Sequence, residues 1–202
     1  MISYSVHPLL EACFTEKMTS VISELFVLNR LIVSELEVRN LWEDGVFAGL
    51  HIVPLIGKLL SIRENDAVHD AGPARQEACR IGALLYLGAI RSCFGVHLTP
   101  EIHILKLKNA ITTWGEISIG ETNPLLLWLL IIGGLNSLGH HDNNWFVSAV
   151  MTIVRNLQLN TWEDLMNSMG SVLWVQGILQ GECTELHKKI SEESASFGLL
   201  FS

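Results

Sequence analysis

The stretch Asn123-Pro124-Leu125-Leu126-Leu127-Trp128-Leu129-Leu130-Ile131-Ile132-Gly133-Gly134-Leu135-Asn136 decides the fold. Its apolar residues run almost all the way round a helical circumference, so it reads as a helix buried on every side rather than as a surface helix. A bilayer crossing needs ~20 apolar residues. This run is interrupted by Gly133 and Gly134 and stops at Asn136, so no membrane span is expected. A chain of 202 residues is long enough to enclose such an element in one sizeable core. The composition agrees: 49% hydrophobic and 17% charged residues, with a mean hydropathy of +0.36, is richer in apolar groups than an ordinary soluble domain and fits a thick helical core.

Helix signals recur outward from this centre, and strand signals are weak. On the N-terminal side, residues 8–40 carry Leu25, Leu28, Ile32 and Leu36 near a 3.6 period, ending at an Asp44-Gly45 turn. Residues 46–62 are apolar at helical spacing but contain Pro54, which lacks a backbone donor and should kink or split the helix. A polar linker follows over 63–72. Pro73 suits the first turn of a helix that runs to Phe94 and stops at Gly95, with Gly82, Ala83, Gly88 and Ala89 permitting close approach of a neighbour. Thr99-Pro100-Glu101 gives a cap residue, a first-position proline and an acid at the positive helix end, predicting a helix to Trp114.

On the C-terminal side, Gly139-His140-His141-Asp142 reads as the exit loop of the central helix, followed by a helix over 145–157. Thr161-Trp162-Glu163-Asp164 is a near capping box. A final helical stretch is expected over 172–190, with Gly177 and Gly181 as interruptions, and a loosely held tail over 191–202. The expectation is therefore an all-α, single domain of about eight helices spanning 1–202, arranged as an orthogonal array or bundle.

The net charge is −8 and the pI near 5.4, and no stripe of Lys or Arg is present to neutralise successive phosphates. Direct nucleic-acid binding is not expected. Residues 1–10 show no basic start, continuous apolar run and small-residue cleavage site, which points to an intracellular protein, cytoplasmic or nuclear. Cys13, Cys79, Cys93 and Cys183 lie far apart and never as a Cys-x-x-Cys pair, so buried free thiols are expected rather than a zinc cluster or a disulfide framework.

The segment Glu77-Ala78-Cys79-Arg80-Ile81-Gly82-Ala83-Leu84-Leu85-Tyr86-Leu87, then Pro124-Leu125-Leu126-Leu127-Trp128 with Gly133-Gly134, Trp145-Phe146, Thr161-Trp162-Glu163-Asp164-Leu165 and Leu173-Trp174 come in an order that resembles the fungal-specific transcription factor domain. That domain is the C-terminal regulatory region of zinc-cluster transcription factors, and the resemblance covers about 75–190. It implies an all-α region that regulates an upstream zinc cluster or responds to small molecules. The cluster's cysteine pattern is absent, so the resemblance implies a stand-alone domain without the DNA-binding half. His140-His141-Asp142-Asn143-Asn144 departs from the Glu-Arg pair that the family shows before Trp-Phe, and no contact is carried over there.

Candidate ligand-binding residues follow from the need of polar groups in apolar surroundings for partners. Trp128 and Trp174 lie in strongly apolar stretches where a ligand can accept from the indole N–H. Asn136 ends the central run. Arg80 projects from a small-residue helix and suits an anionic group, with an ion pair to Glu77 as the plainer reading. His51, with His97 and His103, is placed to reach a pocket and transfer a proton near neutral pH. His140, His141 and Asp142 have metal-ligand residue types, but sequence neighbours in a loop rarely face one ion, so the cluster reads as a helix link with Asp142 or Asn143 as N-cap, and no metal is expected. No phosphate loop, Ser-His-Asp order or nucleophile elbow occurs, so no cofactor is expected. Two functions remain: a small-molecule-binding protein for an apolar metabolite, extending to a cofactor-free cyclase, isomerase or pericyclase of fungal secondary metabolism; and a regulatory or protein-interaction module, including a homodimer.

Overall fold

Thr15 opens the first helix, α1 (Glu16–Leu36), by accepting from the Met18 amide with its hydroxyl. This is one of eight helices in the computed structural model, which describes residues 15–62, 72–97, 100–115 and 124–196. No strand occurs among the described residues, and the structure is all-α. Residues 8–14 of the expected first helix and 63–71 of the expected linker over 63–72 lie outside the described residues, as do Thr99, Asn123 and 197–202, and Gly72 is already helical.

Pro54 acts through the turn before it. In α2, Gly45–Phe47, Ala48–Ile52 and Val53–Ser61 run on from one another, and the middle piece is a π-turn. The Val53 amide bonds Ala48 O, five residues back, so the helical ladder changes register immediately ahead of the proline that cannot donate. The expected kink is thus realised as a π-bulge.

α3 (Gly72–Cys93) has Pro73 in its first turn and ends as predicted near Gly95, which sits at φ +79. There the Val96 amide bonds Arg91 O at 3.2 Å and the Gly95 amide bonds Ser92 O at 3.0 Å, a double closure that satisfies the last carbonyls. α4 (Glu101–Trp114) ends on Gly115 at φ +78, and Pro100 takes its cap position rather than its first turn.

α5 (Pro124–Asn136) is the predicted centre: every residue from Leu125 to Leu135 is buried. It packs against α3, α4, α6 (Asn143–Asn156), α7 (Trp162–Gly170) and α8 (Gln180–Ser196). Glycines set two of these approaches. A Cβ on Gly82 would come 2.3 Å from Leu129 Cδ2, and one on Gly133 would come 2.2 Å from Phe146 Cε1. α7 begins on Thr161, whose hydroxyl accepts from the Asp164 amide at 3.0 Å, as the capping signal foretold.

The stretch expected over 172–190 is interrupted at Gly177, as its sequence allowed, and is helical only from Gln180. Residues 171–179 form an irregular segment with Gly177 at φ +95 and Leu179 at φ +50, and α8 then runs on to Ser196, with Ser194 buried, beyond the point where a loose tail was expected. Gly181 lies inside α8 and does not interrupt it.

Candidate functional site

A cleft opens where α2, α3, α4 and the start of α8 meet the exit of α5. It has a volume of about 570 Å³. Ile56, Leu60, Leu84, Leu85, Ala89, Leu135, Leu138 and Leu179 give it apolar walls, and Arg91, Ser92, His97, His103, Asn136 and Glu182 bring polar groups to it. Gly88 lines it on the α3 side. Apolar walls with a few convergent polar groups are the usual make-up of a small-molecule site.

Local structure explains how the polar groups arrive. The closure of α3 over Gly95 turns the chain so that His97 and Pro100 form one side. His103 comes from the first turns of α4, half-buried, and its pKa is held below the ordinary 6.5 by burial first, then by the charges of Lys106 and Arg80, with Glu77 opposing. It is therefore a neutral imidazole at neutral pH, able to accept a proton. Asn136 spends its amide N–H on Ile132 O at 2.9 Å. Among the described residues, Arg91 and Glu182 form no ion pair. Beside the cleft, burial and Glu182 push the Cys183 thiol up to about 11, and burial raises Cys93 as well, so both are unreactive thiols. Cys93 and Cys183 are free thiols, partly rather than fully buried, and Cys79 is buried.

Of the five residues singled out for ligand binding, only Asn136 lines the cleft. Trp128 is 2% exposed and donates from Nε1 to Leu173 O at 2.6 Å, with its ring edge-on to Tyr86 at 5.8 Å. Its polar handle is satisfied within the protein. Beside it lies only a void of about 10 Å³ among Ile22, Phe26 and Leu125, too small for a ligand. Trp174 packs on the core, and its carbonyl accepts from Asn29 Nδ2 at 3.1 Å. Asn29 Oδ1 in turn accepts from the Tyr86 hydroxyl, whose pKa burial raises. These bonds tie 171–179 to α1, α3 and α5. No tryptophan lines the cleft.

Arg80 makes the ion pair named as its plainer reading. Both Glu77 carboxylate oxygens accept from its guanidinium at 2.6 Å, and Nη1 reaches Leu59 O at 3.4 Å. Its charge reaches the cleft only through the field on His103. His51 lies exposed on the π-turn of α2, its ring 4.6 Å from that of Phe47, and is not brought to the cleft. The sequence missed Arg91 and Glu182. Their only signal is that each is a charge beside apolar helical positions, a pattern shared by most surface residues.

The exit loop of α5 holds a second constellation. Asp142 occupies the cap position of α6 without capping it; its Oδ1 accepts from Lys108 Nζ at 2.7 Å, which lowers its pKa, with burial opposing and the nearby His141 and His140 helping. Asn143 next to it is buried, donating to Gly134 O and Ser137 Oγ and accepting from Lys189 Nζ at 2.8 Å. The loop is thus cross-braced to α4, α5 and α8.

Among the described residues no helix is long and apolar enough to cross a membrane. In comparison with known proteins, the chain matches no family model, no curated protein and no solved structure.

Proposed function

We propose that this protein is a helical small-molecule-binding domain, acting inside the cell, that takes an apolar ligand with a polar or acidic end into the cleft between α2, α3, α4 and α8. The single observation that carries this reading is the pairing of apolar walls with Arg91, His97 and His103 around about 570 Å³. A space of that size suits a metabolite. The wall shields a ligand's hydrocarbon from water while a cationic Arg91 meets its acidic end. The resemblance to regulatory domains that respond to small molecules supports the same reading. A cofactor-free isomerase or cyclase is the catalytic form of this proposal, with neutral His103 as the proton acceptor and the cleft walls as the mould that holds the substrate in a reactive shape.

The test uses an anionic naphthalene sulfonate dye, which joins apolar rings to one acid group. Wild-type protein is expected to bind it saturably at one site under native conditions. Gly88→Leu, which grows a side chain from the α3 wall, should weaken binding by more than about tenfold, roughly 1.4 kcal/mol, with unchanged helical circular dichroism. Equal dye binding by this variant and the wild type would sink the proposal.

A second reading has its own support. Val46, Leu50, Val53 and Leu60 are 70%, 66%, 47% and 59% exposed. They recur at helical spacing along α2, an apolar face of the kind that marks a protein-interaction surface.

A further inference from the structure

Gly139, at φ +78, turns the chain sharply after α5, and the residues that follow fold back on themselves. The His140 amide bonds Ser137 O at 2.8 Å, the Asn143 amide bonds His140 O at 3.1 Å, and the His140 and His141 rings lie 4.0 Å apart. Neighbours in sequence that ordinarily point apart are thereby gathered about one carboxylate. The Asp142 side chain is only 4% exposed. Its Oδ1 is taken by Lys108, while Oδ2 is buried and accepts no hydrogen bond. A buried acceptor left without a partner is costly, and it is aimed at a place where a cation is wanted.

Around that oxygen stand two imidazole nitrogens, His140 Nδ1 at 3.5 Å and His141 Nε2 at 3.3 Å. Two donors on a tetrahedral cation with bonds of 2.0–2.2 Å are separated by about 3.3–3.6 Å. Both separations match this spacing, and the three residues offer ligand atoms within 4.8 Å of one another. His140 Nδ1 also accepts from the Asp142 amide at 3.2 Å, so this nitrogen carries its lone pair, the state that ligates; metal entry exchanges that bond. Lys108 on the outer oxygen stands where partners that orient a ligating carboxylate are found.

We propose that His140, His141 and Asp142 form a binding site for a divalent transition metal, with two imidazoles and one carboxylate as ligands and the remaining positions open to water or a ligand. Two nitrogens and one oxygen suit zinc and its borderline neighbours, whereas calcium and magnesium ask for oxygen shells. His141, 78% exposed, provides the way in from solvent. The site is independent of the cleft reading, and it replaces the expectation that this loop only links two helices.

The full-length chain, stripped with chelator and dialysed against zinc, is expected to retain one equivalent. Cobalt in its place should give the visible bands of a tetrahedral nitrogen and oxygen site, without thiolate charge transfer. Loss of an outer-shell partner costs about 10–100-fold in affinity, and loss of a ligand at least as much. His141→Ala, at an exposed position, should therefore lower zinc affinity by at least about tenfold while leaving the thermal melt of the metal-free protein unchanged, and His140→Ala should do the same to affinity. The proposal is overturned if His140→Ala/His141→Ala retains zinc as the wild type does, if Cys93→Ser or Cys183→Ser abolishes retention, or if the wild type retains none. The last result would leave only a histidine–aspartate ion pair.

Discussion

An indole N–H inside an apolar helix must find an acceptor, and for Trp128 that acceptor is Leu173 O, 45 positions later in the chain. The need was legible in the sequence, but its answer was not, because nothing local to Trp128 reveals that an irregular segment will present a carbonyl there. Asn29 is the same lesson from the other side: an ordinary polar residue in an amphipathic helix proves to bridge Tyr86 and Trp174. His103 was one of three histidines placed near a pocket by context, and its titration gives a residue-scale test. Its folded-state value lies below 6.5 because of burial first, then Lys106 and Arg80. The unfolded chain therefore binds the proton better, so the stability held above 6.5 is lost as pH falls through that value and on through the lower folded one. The unfolding free energy from urea titrations should decline over this window more steeply in wild type than in His103→Gln. Parallel slopes would mean that the imidazole is well hydrated in the folded protein.

At the scale of elements, the helices that were legible are those whose ends carry chemistry. Thr161 caps α7, Gly95 closes α3, and the all-apolar run of α5 could only be central. In the stretch over 172–190 the interruption at Gly177 was legible, but the extent of the break was not, because the apolar spacing continues through a segment that Gly177, Leu179 and the distant Asn29 and Trp128 jointly hold. Neighbouring glycines of α5 test the packing of these elements. At Gly133 an added methyl meets the Phe146 ring at 2.2, 2.6 and 2.8 Å, and a ring lodged between helices has little room to move. At Gly134 it meets Leu186 methyls at 3.3 and 3.4 Å, which give by small rotations. Replacing glycine in a helix gains about 1 kcal/mol of propensity, whereas overpacking costs about 1–3 kcal/mol. Gly133→Ala should therefore destabilise by up to about 2 kcal/mol and Gly134→Ala should stay within about 1 kcal/mol of wild type. Chemical denaturation followed by circular dichroism gives the order, and the reverse order would show that α5 and α6 do not cross at Gly133.

For the whole molecule the question is where the apolar surplus goes. The core takes side chains from all eight helices, as the composition required. What composition could not say is that part of the surplus stays outside, because an exposed leucine and a buried one look alike until the neighbouring helices are placed. Along α2, Phe47, Ile52, Leu55 and Leu59 turn inward, while Val46, Leu50, Val53 and Leu60 remain in solvent. Ile102 and Leu105 on α4 are exposed too, at 69% and 49%. A net charge of −8 keeps copies apart at low salt, and screening removes that repulsion while leaving the apolar contact intact. Self-association through α2 should accordingly strengthen as salt rises, the opposite of an ion-pair interface. Light scattering behind a sizing column is expected to show the wild-type mass rising with protein and salt concentration. Leu50→Glu/Val53→Glu should hold it at the monomer with the same helical signal and the same dye binding in the cleft. A wild type that stays monomeric at high salt would rule out this face as a contact between copies, leaving the cleft to carry the function alone.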